Sequence, residues 1–152
     1  MKKLIGLIAL FFIVISSQAF ADPAKTVAIT IEDNAAVRSD HISAKMTEHM
    51  VKKGFSMLDD SSKSDYILDI SQVSLDMTDQ SVYGERWGAK YSVSFVLSLT
   101  EATSTAIVAY AIVEDHGTTI DAISDVAKDK IIDKAISKKL VDFDVSLVKI
   151  VK

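Results

Sequence analysis

The sequence between Trp87 and Leu99 alternates between apolar and polar side chains. The odd positions hold Trp87, Ala89, Tyr91, Val93, Phe95, Leu97 and Leu99. Lysine, serine and threonine take most of the even positions. This period of two is typical of a β-strand with one buried face and one wet face. It limits the chain to folds with a sheet that is covered on one side and largely open on the other.

Three earlier segments also predict strands. Residues 26–31 alternate around Val27, Ile29 and Ile31, and residues 55–58 form a short β-prone run. Residues 66–77 are β-prone as well, but their apolar phase changes in the middle of the run. A β-bulge near Ser71 and Gln72 would reconcile the two phases, because a bulge adds one residue to one strand of a pair.

The segments around the alternating strand predict its connections. The polar stretch 78–85 predicts a loop, and residues 101–104 predict a hairpin turn into a fifth strand at 105–114. This fifth strand is apolar on both faces, which favours a central strand or one that is covered on both sides. His116 and Gly117 predict a turn after it.

Two segments predict helices. Ile42, Met46 and Met50 recur every four residues in a helix of about residues 37–53 that ends at Gly54, with Asp33, Asn34 or Ser39 as caps. A second helix is expected at about residues 121–139. Its apolar stripe consists of Ile123, Ala127, Ile131 and Ala135, flanked by Ile132, Ile136 and Leu140.

These elements predict an α+β fold in two layers. The expected order is β-α-β-β-β-β-α, with a mostly antiparallel sheet of about five strands and both helices on one face. Residues 143–151 are β-prone and predict an optional last strand.

The first 21 residues carry the three parts of an export signal. Lys2 and Lys3 precede an unbroken apolar run of 12 residues, 4–15, and a small-residue segment that ends in Ala19 and Ala21. A permanent membrane span needs about 20 apolar residues. We therefore expect a cleaved signal peptide at 1–21, one domain at 22–152, and a periplasmic or secreted protein without stable membrane insertion.

The charge of the remaining chain disfavours polyanionic partners. Removal of Lys2 and Lys3 leaves 15 basic against 21 acidic residues, a formal charge of −6. Such a surface repels nucleic acid on average. The sequence also contains no cysteine, and therefore no lipid-bearing cysteine, disulfide or thiolate ligand.

Sequence motifs of catalysis and of cofactor binding are missing. There is no Gly-x-Ser-x-Gly elbow and no glycine-rich phosphate loop. His41 and His49 share a helix face but lie about 12 Å apart along it. Lys45 stands between them, which favours a solvated helix face over a metal site. We expect no catalytic residue, no metal and no cofactor.

One segment has the composition of a binding site. Tyr83, Arg86 and the single tryptophan, Trp87, lie around and between two glycines. These three residue types contribute most of the energy at protein interfaces. Together with Ser92 and Ser94 on the wet face, they are the candidate binding residues. The alternative is that Trp87 merely begins the buried face of its strand.

Residues 46–70 resemble a pattern found in bacterial envelope proteins. In that group a helix ends in Lys-x-Gly-Phe, as at residues 52–55 here, and a strand of the type Ala-Asp-Tyr-Val-Leu follows a polar loop, as at residues 64–68. The group includes the curli secretion lipoprotein, the penicillin-binding-protein activator lipoprotein, the flagellar T-ring protein and the amino-terminal domain of the Tol-Pal propeller protein. Two features differ: the missing lipid-bearing cysteine, and Asp69 at a position where glycine is common. The resemblance implies a non-enzymatic α+β module for assembly or docking.

Two functional interpretations follow. The first is a non-enzymatic periplasmic interaction module that binds an envelope protein or associates with itself. The second is a domain that binds or hydrolyses a small ligand in a pocket between the helices and the sheet, near the predicted bulge.

Overall fold

A five-stranded mixed sheet forms one layer of the structure, a computed structural model that describes residues 24–141 and 143–145. The strands are β1 (Thr26–Ile31), β2 (Ser56–Met57), β3 (Tyr66–Val82), β4 (Glu85–Glu101) and β5 (Ile107–Thr119). Their order across the sheet is β2-β1-β3-β4-β5. β1 is parallel to both of its neighbours, and β3, β4 and β5 are antiparallel to one another.

Two helices form the second layer. They are α1 (Ser39–Lys52) and α2 (Asp125–Lys139), and both pack on the same face of the sheet. Ile42, Met46 and Met50 of α1 are fully buried, as their spacing predicts. The predicted α+β fold in two layers is confirmed.

Local side chains define where the helices begin. Ser124 caps α2 by accepting a hydrogen bond from the backbone N–H of Ala127. Asn34 caps a short 3₁₀ turn, Ala35–Val37, that precedes α1. Ser39 ties this entry together because its hydroxyl donates to the carbonyl of Glu32 and accepts from the N–H of Asn34. Gly54, at φ 92°, ends the first helical segment.

The predicted bulge is present in β3. The pairing of β3 with β4 shifts between Ser71 and Ser74, and Gln72 adopts a φ of 54°. After the shift, Leu75 pairs with Val93 and therefore faces the helix layer. The bulge thus lets both halves of a strand with two apolar phases bury their apolar side chains on one face.

The prediction of a loop at 78–85 is wrong. β3 continues to Val82, and β4 begins at Glu85, so the two strands form one long hairpin. β1 pairs with β3 only as far as Ile70, and the outer part of the hairpin is largely exposed to solvent. With no core to face, this part of the strand has no apolar period from which it could be predicted.

The predictions for β5 are wrong in two respects. The strand is at the edge of the sheet, not central, and it continues through His116 and Gly117 to Thr119. Gly117 packs closely against a neighbouring ring, since a Cβ at this position would lie 3.0 Å from the hydroxyl oxygen of Tyr91. The glycine thus makes room for a neighbouring ring inside the sheet and does not mark a turn.

Two predicted segments lie partly or wholly beyond the described residues. The expected signal peptide, residues 1–21, lies outside them. Of the optional last strand, Phe143 and Val145 are described, and both are buried outside any strand. Residues 146–151 of that segment also lie outside the described part.

Candidate functional site

The far end of the β3–β4 hairpin carries three of the candidate binding residues. We call residues 82–87 the hairpin tip. Tyr83 and Gly84 form a two-residue turn in which both have positive φ, 54° and 83°. This is the combination that a type I′ turn requires, and its twist matches that of the flanking strands. The turn therefore holds the tip in one defined geometry.

The hairpin tip presents large apolar side chains to solvent. Tyr83 is fully exposed, Trp87 is 66% exposed, and Val82 is more than half exposed. Trp87 falls at a shift in the strand pairing between Gln80 and Ser81, which removes it from the buried phase. The alternative that Trp87 begins the buried face is therefore wrong.

Arg86 fixes the base of the hairpin tip. Its Nε donates to Asp79 Oδ1 at 2.7 Å, across the hairpin. Its Nη2 donates to the carbonyl of Asp121 at 2.7 Å, and Nη1 reaches the carbonyl of Ile120 at 3.4 Å. Arg86 thus joins the hairpin to the segment between β5 and α2. The structure gives this residue a positioning role beside the exposed aromatic residues.

Gly88 brings the same two segments into close contact. A Cβ on Gly88 would lie 2.5 Å from the carbonyl oxygen of Thr119 and 3.7 Å from Cα of Ile120. Ile120 is itself strongly exposed. A further exposed apolar residue therefore lies close to the base of the hairpin tip.

Ser92 and Ser94 lie apart from the hairpin tip. Ser92 pairs with Asp76 and His116, and Ser94 pairs with Ser74 and Glu114, on the sheet face away from the helices. Six to eight residues separate them from Arg86, which is about 20–26 Å along a strand. The structure does not unite the five candidate residues into one site.

A buried carboxylate that the sequence reasoning missed links α2 to the sheet. Asp115 accepts hydrogen bonds from Tyr91 Oη at 3.0 Å and from Lys138 Nζ at 3.1 Å. Lys134 Nζ lies 3.3 Å from the same carboxylate and donates to Tyr91 Oη at 2.7 Å. Burial raises the pKa of Asp115, but the hydrogen bonds from Lys138, Tyr91 and Lys134 outweigh it and lower that pKa to about 2.

Asp115 could have been placed from the sequence. It occupies an odd position after Ala109, Ala111 and Val113, all of which face the helices. The expected strand at 105–114 stops one residue short of it. Because all of its partners come from the sheet and α2, the cluster acts as a structural link.

The two helices are joined by ion pairs that include one of the histidines. Arg38 forms a bidentate pair with Asp129, at 2.8 and 3.1 Å, and this pairing lowers the pKa of Asp129. His41 Nε2 lies 2.9 Å from Asp133, and Lys45 lies 3.3 Å from it. The expectation of a merely solvated helix face is thus wrong for His41.

A cavity of about 300 Å³ lies between the helices. It is lined by residues of α1 and α2, with Leu140 at its end, and not by β3, whereas the sequence placed a pocket beside the bulge. Two of its lining cations are already paired, Lys45 with Asp133 and Lys52 with Glu48. His49 Nε2 is buried without a hydrogen-bond partner. Burial, and to a smaller extent the positive charges of Lys53 and Lys52, lower the pKa of this ring.

Within residues 24–141 and 143–145, no group of three or more His, Asp and Glu side chains is arranged to hold a metal ion. Neither of the helices described is long and apolar enough to cross a bilayer.

Neither a protein-family model nor a curated protein sequence matches this chain. Solved structures do. PelC from Paraburkholderia phytofirmans, solved as a dodecamer, is similar at 15% identity with a TM-score of 0.50, over 78% of this chain and 89% of that chain. Lipoprotein GNA1162 from Neisseria meningitidis is similar at 7% identity with a TM-score of 0.50, over 75% of this chain and 96% of that chain.

The likeness is one of fold. At such low identities the shared feature is the arrangement of a mixed sheet and two helices. A fold in common with bacterial lipoproteins agrees with the coarser part of the sequence resemblance. The particular protein groups named from the sequence are not confirmed.

Proposed function

We propose that this chain is a non-enzymatic interaction module of the bacterial cell envelope that binds another envelope protein through its hairpin tip. One observation carries the proposal: Val82, Tyr83 and Trp87 project into solvent from a turn whose base is fixed by Arg86. Exposed apolar side chains grouped on one part of a protein surface are typical of an interaction site. Tyrosine and tryptophan supply large contact area at small entropic cost.

The fixed geometry of the hairpin tip supports a binding function for its exposed aromatic residues. An aromatic side chain on a fixed turn loses little conformational freedom when a partner covers it, so more of the contact energy is retained as affinity. Arg86 and Gly88 both contribute to this mounting. The carboxylates of Asp115 and Asp129 are both held by hydrogen bonds within the fold.

The envelope location rests on three supports. The first 21 residues have the pattern of an export signal. Residues 46–70 resemble envelope assembly modules. One protein with this fold is named a lipoprotein, and another is a dodecamer, so the fold is compatible with assembly.

In-cell photocrosslinking tests the proposal. A photoreactive amino acid is placed at Tyr83 or Trp87, and captured proteins are identified by mass spectrometry. Val51 is the matched control, because it is also apolar and about half exposed but lies on α1. Arg86 is left intact since its loss would release the tip.

We expect one envelope protein to be captured from Tyr83 and Trp87 and not from Val51. Probes at Ser92 and Ser94 show whether the partner extends onto the open face of the sheet. Equal capture from all positions, or none from the tip, would contradict the proposal.

A further inference from the structure

The outer edge of β5 has the composition of a covered strand. Residues 107–113 read Ile-Val-Ala-Tyr-Ala-Ile-Val, without charge, proline or glycine. On one side β5 pairs with β4, and on its other side no strand of the described residues pairs with it. Long apolar edges invite pairing with another chain, and natural sheets usually protect them with lysine, proline or very short edge strands.

The opposite edge of the sheet shows such protection. There the outer strand, β2, has two residues. β5 has 13 residues and contains no lysine, arginine or proline. Its one irregularity is a shift in pairing next to Leu99 that leaves Val108 without a partner. This bulge disturbs one end of the edge and leaves residues 109–119 in regular register.

Two side chains of β5 on the open face of the sheet are also exposed. Tyr110 is 54% exposed and Ile112 is 50% exposed, on the face that the helices leave open. Both are β-prone residues that gain most from a cross-strand neighbour. The next residues along the strand, Glu114 and Asp115, bring charge, so the unprotected stretch ends at Val113.

The sequence of this stretch is self-complementary. Read from Tyr110 in either direction, it passes alanine and then β-branched aliphatic residues. In an antiparallel pair with its two-fold axis at Tyr110, tyrosine faces tyrosine and Ala109 faces Ala111 of the second copy. Ile112 then lies opposite the bulge at Val108 of the second copy. At the central positions, residues 109–111, each side chain therefore meets one of its own size.

The charges agree with the same register. Glu114 would lie beside the uncharged residues that precede β5 in the second copy, so the two acidic residues do not oppose each other. A register centred on Glu114 would place like charges in direct contact, which is destabilising. A two-fold axis also closes the assembly, because both copies use the same edge of β5.

We infer that two copies of this chain pair through β5 in an antiparallel register centred on Tyr110, forming a continuous ten-stranded sheet. The inference goes beyond the proposed function, since it names a second copy as the partner at a different surface from the hairpin tip. The contact covers one short strand on each side, so association is expected to be weak and dependent on concentration.

Cysteine crosslinking tests the register directly, because the chain has no cysteine of its own. Purified protein of residues 22–152 carrying Tyr110→Cys is oxidised under mild conditions and run on a non-reducing gel. Directly opposed residues have Cα atoms about 4.5–5.5 Å apart, within the range that a disulfide spans. We expect a covalent dimer.

Ile112→Cys is the matched control. Its two copies would be offset by four residues, about 13 Å along the strand, and should not crosslink. Equal crosslinking of Tyr110→Cys and Ile112→Cys alone would indicate random collision and overturn the inference.

Sedimentation of the unsubstituted protein gives an independent answer. A shift from monomer to dimer across the micromolar range supports the inference, and a monomer at every concentration overturns it. A monomer that is still captured in cells through Tyr83 or Trp87 would refute the pairing and leave the proposed function intact. A dimer without such capture would support the pairing and contradict the proposed function.

Discussion

At the scale of single residues, Asp115 should make a contribution to the free energy of unfolding that depends on pH and can therefore be measured. Its pKa is lowered from 3.8 to about 2 in the folded protein. A carboxyl with a lowered pKa stabilises the fold above its ordinary pKa, and that stabilisation is lost as the pH falls towards the folded value. The shift corresponds to roughly 2 kcal/mol in full, of which about 1 kcal/mol is lost by pH 3.

Asp115→Asn should therefore be most destabilising near neutral pH. We expect the gap in unfolding free energy between the natural chain and Asp115→Asn to narrow by about 1 kcal/mol between pH 6 and pH 3. Urea unfolding at both pH values measures it. Other carboxylates titrate equally in both proteins and cancel in the comparison. Tyr91→Phe removes one hydrogen-bond donor to Asp115, so its difference in unfolding free energy from the natural chain should change less over the same pH range. A difference for Asp115→Asn that does not change with pH would contradict the lowered pKa of Asp115.

Gly88 leads to a second prediction at this scale. A methyl group there would meet the backbone carbonyl of Thr119 at 2.5 Å, and backbone cannot move aside as a side chain can. Gly88→Ala is expected to lower the unfolding free energy by about 1–3 kcal/mol. Chemical denaturation measures the change. Ser92→Ala, on the exposed side of the same strand, is the control and should have little effect.

At the scale of elements, the turn of the β3–β4 hairpin separates stability from binding. Tyr83 adopts φ 54°, which is unfavourable for a bulky residue, whereas Asn-Gly is a preferred type I′ pair. Tyr83→Asn should therefore raise the unfolding free energy by up to about 1 kcal/mol while weakening partner capture from Trp87. Thermal unfolding and the crosslinking yield test the two halves.

Tyr83→Phe is the control for this pair of effects. It keeps the strained backbone and the aromatic ring, so both stability and capture should stay close to those of the natural chain. If Tyr83→Asn captured the partner as well as the natural chain, the aromatic side chain at the turn would have no part in binding.

The same hairpin shows where sequence patterns are informative and where they are not. The bulge in β3 was predictable because burial imposes a phase on each half of the strand, and the phase changes at Gln72. The outer half of the hairpin was not predictable. There the pairing is set by the turn at Tyr83 and Gly84, and few side chains are buried enough to show a period.

β5 shows a related limit. Its apolar pattern correctly indicated a strand with two apolar faces, but the neighbours that cover a strand are set by topology and by other chains. Gly117 was interpreted as a turn because a glycine that serves packing has the same sequence signature as one that breaks a strand. The candidate residues Tyr83 and Trp87 were identified by type, whereas the role of Arg86 depended on a contact 34 residues away.

At the scale of the whole molecule, the fold offers two separate surfaces. The hairpin tip extends past β1, and the free edge of β5 lies on the outer side of the sheet. Pairing through β5 would leave both hairpin tips of a dimer exposed, so self-association and partner binding need not compete. A two-fold dimer would then present two tips, which raises the effective affinity for a partner with two sites.

Dimerisation should also appear in thermal unfolding. If only the folded chain pairs, raising the protein concentration stabilises it by mass action, by about 2.7 kcal/mol at a concentration 100 times the Kd. We expect the Tm to rise by several degrees between 2 and 200 µM, about two orders of magnitude. Ile112→Lys should abolish the rise, because a lysine on the edge strand prevents pairing. Val51→Lys, at a similarly exposed position on α1, should retain it, and a rise that survives Ile112→Lys would locate the contact elsewhere.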